Sequence, residues 1–524
     1  MRPLHAILRC NSRPPLTRAC QFKSHRRLSL RLIAPNNTQR RTSLRLIATT
    51  SAANMPGSDA PPAAKQKQIN LLRGWPSPDL LPADLLSAAC QRILADPVES
   101  VPILQYAPDP GYQPLRERLA QWLGQHYGVE PDANRICITG GASQNLACIL
   151  QSFTDPHYTR VVWMAAPCYH LSFGIFEDSG FAGRLRAAPE DDEGLDVEEL
   201  ERRLVAWESA EKRKPNQEPQ PFKDPGPYRK LYRHVIYAVP TCSNPSGKTL
   251  SVHRRESLVK LARKYDALVI CDDVYDFLQW PLEGPPTAER PPEMRLPRLC
   301  DIDMSMGRAE NDPQGFGHTV SNGSFSKIAG PGVRTGWAEG TPAFALGLSK
   351  TASSMSGGAP SQLCAAMLAD LIRTGELANF IETKTRPALQ RRHKIVMDAV
   401  KQYLAPLGVV SSESSIQGEN VYGGYFVWLT LAQGPSGLLV SDAALKEENI
   451  VLGRGSMFAV RGDEEGAKFD NQIRLCFSWE PEEALVDAIR RLGLLIQRMQ
   501  ANIGYYEQLV GGVTDNNRPV SSWV

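Results

Sequence analysis

Short apolar runs alternate with helix-type patterns through the middle of the chain. Uninterrupted apolar runs are typical of strands covered on both faces, and their alternation with helices indicates a mostly parallel sheet. The runs that predict strands are Arg135 to Thr139, Val161 to Met164, His234 to Val239 and Ala267 to Cys271, with helical patterns at Gln144 to Phe153 and Arg254 to Tyr265. We therefore expect an α/β fold whose large domain has a mostly parallel central sheet.

The pattern changes near Ala378, which indicates a second, smaller α+β domain. A helical pattern extends to Leu404, and two strand-type runs and a final helix follow at Tyr425 to Leu429, Ile473 to Phe477 and Pro481 to about Arg498. The predicted organisation is a leader at 1–58, an arm contributing to the small domain at 59–110, a large domain at 111–377, the small domain at 378–502 and a tail at 503–524. Segments 206–230 and 281–316 are rich in charge and proline and are predicted to be surface insertions.

Charge is distributed unevenly, although the 524 residues carry a formal charge of only +3. Residues 1–58 are rich in Arg, Ser and Thr and contain no Asp or Glu, which is typical of a mitochondrial presequence. We predict a mitochondrial protein, or a cytoplasmic one if translation starts at Met55. The remaining residues are net acidic, which argues against a nucleic-acid partner.

No apolar run is long enough for a membrane helix, so we expect no membrane partner. The eleven cysteines form no C-x-x-C pair, and no histidines stand at zinc-ligand spacing. The sequence therefore predicts no metal site.

The segment from Ser324 to Trp337, SFSKIAGPGVRTGW, places Lys327 seven residues before Arg334 among hydroxyl and glycine residues. A lysine can bind an aldehyde as a Schiff base, while hydroxyls, backbone N–H groups and an arginine can bind a phosphate. Pyridoxal phosphate carries both groups. The segment predicts a site for this cofactor, although a polar turn with a solvated lysine has the same composition.

Two competing motifs are incomplete. Ser324 to Lys327 spells S-x-x-K, but the S-D-N and K-T-G companions of a serine acyl-transfer enzyme are absent. Gly247-Lys248-Thr249 resembles the end of a phosphate-binding P-loop, but Cys242 stands where that loop needs glycine. The P-loop interpretation fails, and the acyl-transfer enzyme is the weakest alternative.

Polar residues follow two of the strand-type runs. Asp272 comes directly after Cys271, Tyr275 lies three residues further on, and Asn244 lies in the turn after Val239. Open α/β sheets bind ligands beyond the carboxyl ends of their strands. A carboxylate there could keep the cofactor's ring nitrogen protonated, and Tyr275 and Asn244 could donate to its phenolic oxygen. Strand-end caps and turns are the structural alternatives.

Together these motifs resemble the fold type I, class I and II aminotransferases related to aspartate aminotransferase. The matching elements occur in the family's order over about residues 68–500: Gly74, Tyr106, Gly141-Ala142-Ser143, Pro167-Cys168-Tyr169, Asn244-Pro245-Ser246-Gly247, Asp272 to Tyr275, Ser324 to Trp337, and Arg474. The resemblance implies a fold type I large domain, pyridoxal 5'-phosphate as cofactor, and a homodimer with shared active sites.

The resemblance also implies a role for each matching residue. Lys327 would form the Schiff base and move the substrate's α-proton, Asp272 would pair with the ring nitrogen, and Arg474 would bind the substrate's α-carboxylate. Tyr169 would stack on the ring, and Gly74 and Asn244 would contact the substrate. The phosphate would be bound by Gly141, Ala142, Ser143, Ser324, Ser326, Arg334 and, from the partner subunit, Tyr106. Many relatives have a hydroxyl or amide residue where Ala142 stands, so that only its backbone N–H can serve.

The implied reaction moves the amino group of an L-amino acid to a 2-oxo acid, which is 2-oxoglutarate in most relatives. The segment around Gly74 looks most like the branch that acts on 2-aminoadipate, kynurenine and aromatic amino acids. Two alternatives remain open: a lyase or cyclase that uses the same cofactor on the same fold, and a non-catalytic protein that retains the fold.

Overall fold

A computed structural model describes residues 67–212, 220–284, 295–355, 358–412, 421–432 and 434–510. The predicted leader at 1–58 and residues 511–524 of the predicted tail lie outside the described residues. Within the described ranges, no helix is both long enough and apolar enough to cross a membrane.

The elements follow one another in an α/β order. The strands are β1 Ile69–Asn70, β2 Ile136–Thr139, β3 Val161–Ala166, β4 Leu185–Asp191, β5 Gly194–Leu195, β6 His234–Ala238, β7 Ala267–Cys271, β8 Gln279–Pro281, β9 Thr319–Ser324, β10 Gly336–Glu339, β11 Val409–Ser411, β12 Val421–Gly423, β13 Phe426–Leu431, β14 Ile450–Val451, β15 Gly453–Arg454 and β16 Gln472–Cys476. The helices are α1 Ala83–Ala95, α2 Pro97–Ile103, α3 Gln113–Tyr127, α4 Ala142–Phe153, α5 Ser172–Phe176, α6 Val197–Lys212, α7 Val252–Lys264, α8 Leu299–Ser305, α9 Pro342–Ser349, α10 Gln362–Arg373, α11 Glu376–Phe380, α12 Arg386–Tyr403, α13 Gly437–Glu448, α14 Glu482–Ala501 and α15 Ile503–Val510.

An eight-stranded sheet forms the centre of the fold, in the order β2-β10-β9-β7-β6-β3-β4-β5. The strands from β9 to β4 pair in parallel, while β10 and the edge strand β5 pair antiparallel with their neighbours. Every residue of β3, β6, β7 and β9 is buried, and for β3, β6 and β7 the apolar runs predict this burial on both faces. The predicted α/β class with a mostly parallel central sheet is confirmed.

The sheet brings several chain segments to one edge. Strands β7 and β9 are parallel neighbours, so the residues that follow them, including Asp272 and the turn after Ser324, lie at the same edge. In β10, Gly336 is paired with Ser324 on one side and with Thr139 on the other, which aligns the end of β2 with the end of β9. The carboxyl ends of three strands therefore meet where ligands bind in open α/β sheets.

A four-stranded antiparallel sheet, ordered β11-β13-β16-β15, lies in the C-terminal part of the chain. The arm reaches this region: β1 pairs in parallel with β14, and the Cys476 N–H donates to the Leu71 carbonyl at 2.7 Å. The single helix expected from Ala378 to Leu404 is divided into α11 and α12 by a wider turn, Ile381–Thr385. Proline at the second position of α12, Pro387, lacks the N–H that would continue the regular bonding pattern.

The two predicted surface insertions have different outcomes, since the described residues of the first are mostly exposed. Helix α6 continues to Lys212, so the charged residues from 206 onward begin as its last turns. In the described end of the second segment, residues 296–303 are mostly buried, with Leu299 and Cys300 among them, whereas most residues from 304 to 315 are exposed or half-buried. The buried Arg298 guanidinium forms ion pairs with the carboxylates of Asp301, in the same segment, and of Glu339, on β10. Buried charges that are paired in this way cannot be recognised from composition.

Candidate active site

A cavity of about 250 Å³ lies where the strand ends meet the arm and the C-terminal sheet. Most of the residues predicted for the site line it: Gly74, Ala142, Ser143, Tyr169, Asn244, Asp272, Tyr275, Ser324, Ser326, Lys327, Arg334 and Arg474. Gly141 precedes the lining residue Ala142 without lining the cavity itself, and Tyr106 lies elsewhere. Residues separated by up to 400 positions in the chain thus share one small volume.

Lys327 presents its amine to this cavity. It ends a 3-10 turn, Phe325–Lys327, that directly follows β9. Its Nζ donates a hydrogen bond to the Gly74 carbonyl at 2.8 Å and lies 5.0 Å from the centre of the Tyr425 ring. Burial lowers the pKa of the Lys327 amine to about 8, although the charge of Asp272 acts in the opposite direction. About a tenth of the amine is therefore neutral, and hence nucleophilic, at pH 7, against far less for an ordinary lysine.

Asp272 is the carboxylate of the site. It directly follows β7, and its Oδ2 accepts a hydrogen bond from the Tyr237 hydroxyl at 2.8 Å. Its Oδ1 is buried and has no hydrogen-bond partner among the described residues. Burial raises the pKa of the Asp272 carboxyl to about 6, against the effects of the Tyr237 hydrogen bond and the Lys327 charge. A buried carboxylate oxygen without a partner suits a ligand that supplies a donor or a positive charge.

Arg474 is a buried arginine on β16 with no carboxylate partner among the described residues. Its Nη1 donates to the Asn244 side-chain oxygen at 2.7 Å and its Nη2 donates to the Leu72 carbonyl at 2.6 Å, while its buried Nε has no partner. The guanidinium carbon lies 3.9 Å from the centre of the Phe426 ring. Burial lowers the pKa of Arg474 to about 10. An arginine remains protonated at neutral pH even so, and a buried cation of this kind suits an anionic ligand.

The turn before α4 and the segment after β9 form a cradle for an anion. Gly141 has a φ of +96°, and a Cβ there would lie 2.6 Å from Nη2 of Arg334. Arg334 itself adopts a left-handed conformation, with φ and ψ of 44°, and its Nη1 reaches the Ser326 hydroxyl at 3.3 Å. The Ser324 hydroxyl donates to the Ser326 hydroxyl at 2.9 Å. The N-terminus of α4 adds its backbone N–H groups, so the cradle suits a phosphate.

The remaining polar side chains of the cavity lie between the lysine and the arginine. Asn244 uses its oxygen toward Arg474, and its amide nitrogen can still donate to a ligand. Burial raises the pKa of Tyr275 well above its ordinary value and that of Tyr169 to about 12, so both hydroxyls stay protonated. The geometry thus gathers an amine, a carboxylate, an anion cradle and a second anion site.

The sequence model of the family described as aminotransferase class I and II matches residues 80–492. The chain belongs to this family. The aminotransferase is 34% identical over 451 residues to an uncharacterized protein of Saccharomyces cerevisiae, with 82% of this chain and 95% of the relative covered. It is 26% identical over 433 residues to the 2-aminoadipate transaminase of Thermus thermophilus, with 83% and 91% covered.

Solved structures agree with this assignment. The kynurenine aminotransferase of Pyrococcus horikoshii, solved in complex with PMP, is 26% identical and superposes with a TM-score of 0.65 over 83% of this chain and 92% of that one. The predicted family, the fold type I architecture and the pyridoxal phosphate cofactor are confirmed. This chain is therefore a pyridoxal-phosphate-dependent transaminase that acts on an amino acid and a 2-oxo acid.

The cavity of the aminotransferase fits the cofactor on three observations. The buried Oδ1 of Asp272 lacks a partner, as expected of an oxygen that pairs with a protonated ring nitrogen. A Cβ at Gly141 would occupy the space beside the Arg334 guanidinium, and the absence of a side chain there is expected of a backbone that closely approaches a phosphate. The pKa of the Lys327 amine, about 8, is low enough that its neutral form is available to attack an aldehyde.

Tyr106 does not join the site within one chain. It follows α2, its side chain is 77% exposed, and it does not line the cavity. The predicted role required it to act from a partner subunit, so its position in one chain leaves that prediction untested.

The polar residues that line the cavity and that sequence reasoning missed include Arg73, His170, Tyr237 and Asn322. Tyr237 is paired with Ile270 in the neighbouring strand, two positions before Asp272, and this register brings its hydroxyl to the carboxylate. The Asn322 side chain donates to the Ala142 carbonyl at 3.1 Å and so anchors the first turn of α4. The hydroxyl of Tyr237 inside the mostly apolar run of β6 was an available signal, whereas β9 is rich in polar and small residues and did not single out Asn322. Arg73 stands in the matching element around Gly74 but was given no role there, and His170 belongs to no recognised motif.

Across the described ranges, no group of three or more His, Cys, Asp or Glu side chains is arranged to hold a metal ion.

Proposed function

We propose that this aminotransferase moves the amino group of an L-amino acid of the 2-aminoadipate or aromatic kind to 2-oxoglutarate. The observation that carries the proposal is the presence of Lys327, Asp272 and Arg474 in one cavity, where no carboxylate of the described residues pairs with Arg474. The similarity to a 2-aminoadipate transaminase and to a kynurenine aminotransferase supports this substrate range.

Each of these residues has a definite task in the proposed reaction. Lys327 Nζ would bind the cofactor aldehyde and, once the substrate has displaced it, accept the proton of the substrate's α-carbon and return it to the cofactor's aldehyde carbon. Its lowered pKa suits a group that must accept and donate a proton near pH 8. Pyridoxal phosphate, when bound, supplies the electron-withdrawing ring that makes the α-proton acidic.

Asp272 and Arg474 would act on opposite ends of the site. The Asp272 carboxylate, held by Tyr237, would keep the ring nitrogen protonated. Arg474, oriented by Asn244 and the Leu72 carbonyl, would bind the α-carboxylate through its two-pronged guanidinium. Ser324, Ser326, Arg334 and the turn Gly141-Ala142-Ser143 would bind the phosphate, Tyr169 would stack on the ring, and Tyr275 would donate to its phenolic oxygen.

A panel of L-amino acids tests the proposal when each is incubated with the holoenzyme and 2-oxoglutarate. Glutamate formation from 2-aminoadipate or an aromatic amino acid is the expected result. Release of ammonia or of an altered carbon skeleton without glutamate would indicate the lyase or cyclase alternative. Absence of turnover with every donor and acceptor would indicate the non-catalytic alternative. Lys327→Ala should abolish glutamate formation, and Lys394→Ala, which removes an exposed lysine paired with Asp398, is its matched control.

We also propose that the enzyme is a homodimer in which Tyr106 reaches the phosphate in the partner's site. Support comes from exposed apolar side chains around α2, where Val98, Val101, Leu104 and Tyr106 are 62–80% exposed. Light scattering after gel filtration should give the mass of two chains. A monomer at micromolar concentration would contradict this proposal without affecting the assignment of Lys327.

We propose that residues 1–58 direct the enzyme to mitochondria. Imaging of the full chain and of a version starting at Met55 tests this. Mitochondrial signal that is lost on truncation is expected, and identical cytoplasmic signal from both versions would contradict it.

A further inference from the structure

The segment Leu72-Arg73-Gly74 crosses the cavity between the two ends of the substrate site. The Leu72 carbonyl accepts from Arg474 at 2.6 Å, and the Gly74 carbonyl accepts from the Lys327 amine at 2.8 Å. Arg73 is therefore the residue between the proposed α-carboxylate site and the reacting nitrogen. Arg73 is also one of the residues that line this cavity.

Two tryptophans hold the Arg73 guanidinium. Its central carbon lies 4.5 Å from the centre of the Trp75 ring and 5.3 Å from that of Trp479. The rings themselves meet edge to face at 5.4 Å. Guanidinium groups favour aromatic faces, and this contact restricts the side chain without neutralising its charge.

The backbone around Arg73 is also fixed. The Asn70 side-chain oxygen accepts from the N–H groups of Leu72 and Arg73, both at 3.0 Å, and the Asn70 N–H donates to Glu480 at 2.8 Å. The Trp75 carbonyl accepts from the Ser478 hydroxyl at 2.7 Å. The guanidinium is thus positioned before any ligand arrives, which reduces the entropy lost on binding.

Arg73 nevertheless lacks an anionic partner. Among the described residues, it forms no ion pair, and its buried Nε has no hydrogen-bond acceptor. The buried Arg135 and Arg298 differ in this respect, since both pair with Asp301 and Glu339. A cation held in place with an unsatisfied buried N–H indicates that a ligand supplies the acceptor.

We propose that Arg73 binds the side-chain carboxylate of the substrate and so selects dicarboxylic amino acids and 2-oxo acids. The described arginines that line the cavity are Arg73, Arg334 and Arg474. Arg334 belongs to the phosphate cradle and Arg474 to the α-carboxylate site, which leaves Arg73 for a second carboxylate. This inference rests on the proposed amino transfer, because that reaction fixes which end of the substrate faces Lys327.

Binding of two unreactive acids tests the inference directly. Glutarate carries two carboxylates and valerate carries one on a chain of the same length. Calorimetric titration of the cofactor-loaded enzyme should show that glutarate binds more tightly, and that Arg73→Gln weakens glutarate binding about 100-fold while valerate binding changes less than about threefold. Arg73→Lys should restore part of the glutarate affinity, because it keeps the charge but loses the fork. Arg391→Gln, at an exposed ion pair with Glu482, is the matched control.

The kinetics of different amino-acid donors provide a second test of the role of Arg73. An amino acid is added without acceptor, and the rate at which the bound cofactor is converted to its amine form is measured. This rate does not depend on the acceptor. For Arg73→Gln, kcat/KM should fall about 100-fold for 2-aminoadipate and glutamate and stay nearly constant for leucine and kynurenine. Equal losses for both groups, or losses confined to aromatic donors, would overturn the inference.

The two proposals fail separately. Wild-type enzyme that converts no donor at all would overturn the proposed function, and the comparison of glutarate with valerate would still decide the role of Arg73. Normal amino transfer with equal affinity for glutarate and valerate would overturn the role of Arg73 alone.

Discussion

Replacing Asp272 with asparagine tests the electrostatic basis of the site. Burial raises the pKa of the Asp272 carboxyl from 3.8 to about 6 in the folded protein. A carboxyl with a raised folded-state pKa binds its proton more tightly when folded than when unfolded. The stabilisation from that proton is complete below the unfolded pKa and is lost as the pH rises through about 6.

The size of the effect follows from the shift. A rise of about two pKa units corresponds to about 3 kcal/mol in the free energy of unfolding at pH 8. Asparagine has nearly the same shape, can accept the Tyr237 hydrogen bond and carries no charge. In the cofactor-free protein, Asp272→Asn should therefore raise the free energy of unfolding by up to about 3 kcal/mol at pH 8 and by about half as much at pH 5.

Denaturant unfolding of the cofactor-free protein at both pH values measures the difference. Asp178→Asn, at an exposed carboxylate, is the control and should change neither midpoint appreciably. With the cofactor bound, the proposed protonated ring nitrogen compensates the charge of Asp272, so Asp272→Asn should no longer have a higher free energy of unfolding than the wild type. The variant should also turn over several orders of magnitude more slowly. A cofactor-free variant no more stable than the wild type at pH 8 would refute the argument from burial.

Three further substitutions and one pH profile test the other groups. Lys327→Ala should abolish the visible absorbance of the lysine-linked cofactor and leave no cofactor fixed by borohydride; an unchanged spectrum would exclude Lys327. Cofactor uptake by the wild type should accelerate as the pH rises through about 8, where the amine of Lys327 becomes neutral, and a flat profile would contradict this. Arg474→Lys should raise KM for amino acids about 100-fold through loss of the forked contact, measured with saturating acceptor. Gly141→Ala should weaken cofactor binding at least tenfold in equilibrium titration, because its φ of +96° is strained for alanine and its Cβ would meet Arg334 at 2.6 Å.

Local sequence patterns were sufficient for four of the eight strands of the large sheet, β2, β3, β6 and β7. The run Ala267 to Cys271 is β7, with the same limits, because every side chain on both faces is buried and must be apolar. The spacing of Lys327 and Arg334 was equally readable, since both lie in one short segment between β9 and β10.

The same reasoning was wrong for residues 296–303. Proline and charge there indicated a surface insertion, yet Arg298 is buried against Glu339, which lies 41 residues further along the chain. Composition reports the cost of burying each charge by itself, and only the fold reveals the partner that offsets it.

The sequence by itself determined the alternating elements, the family and the segment that carries the lysine, because these depend on residue type and short-range spacing. Only the tertiary structure decided that Arg474 meets Asn244 and the Leu72 carbonyl, which are 230 and 402 residues away, and that Arg73 shares their cavity. The physical reason is that strand register and chain crossing bring these groups together, and neither property is encoded in any local stretch of residues.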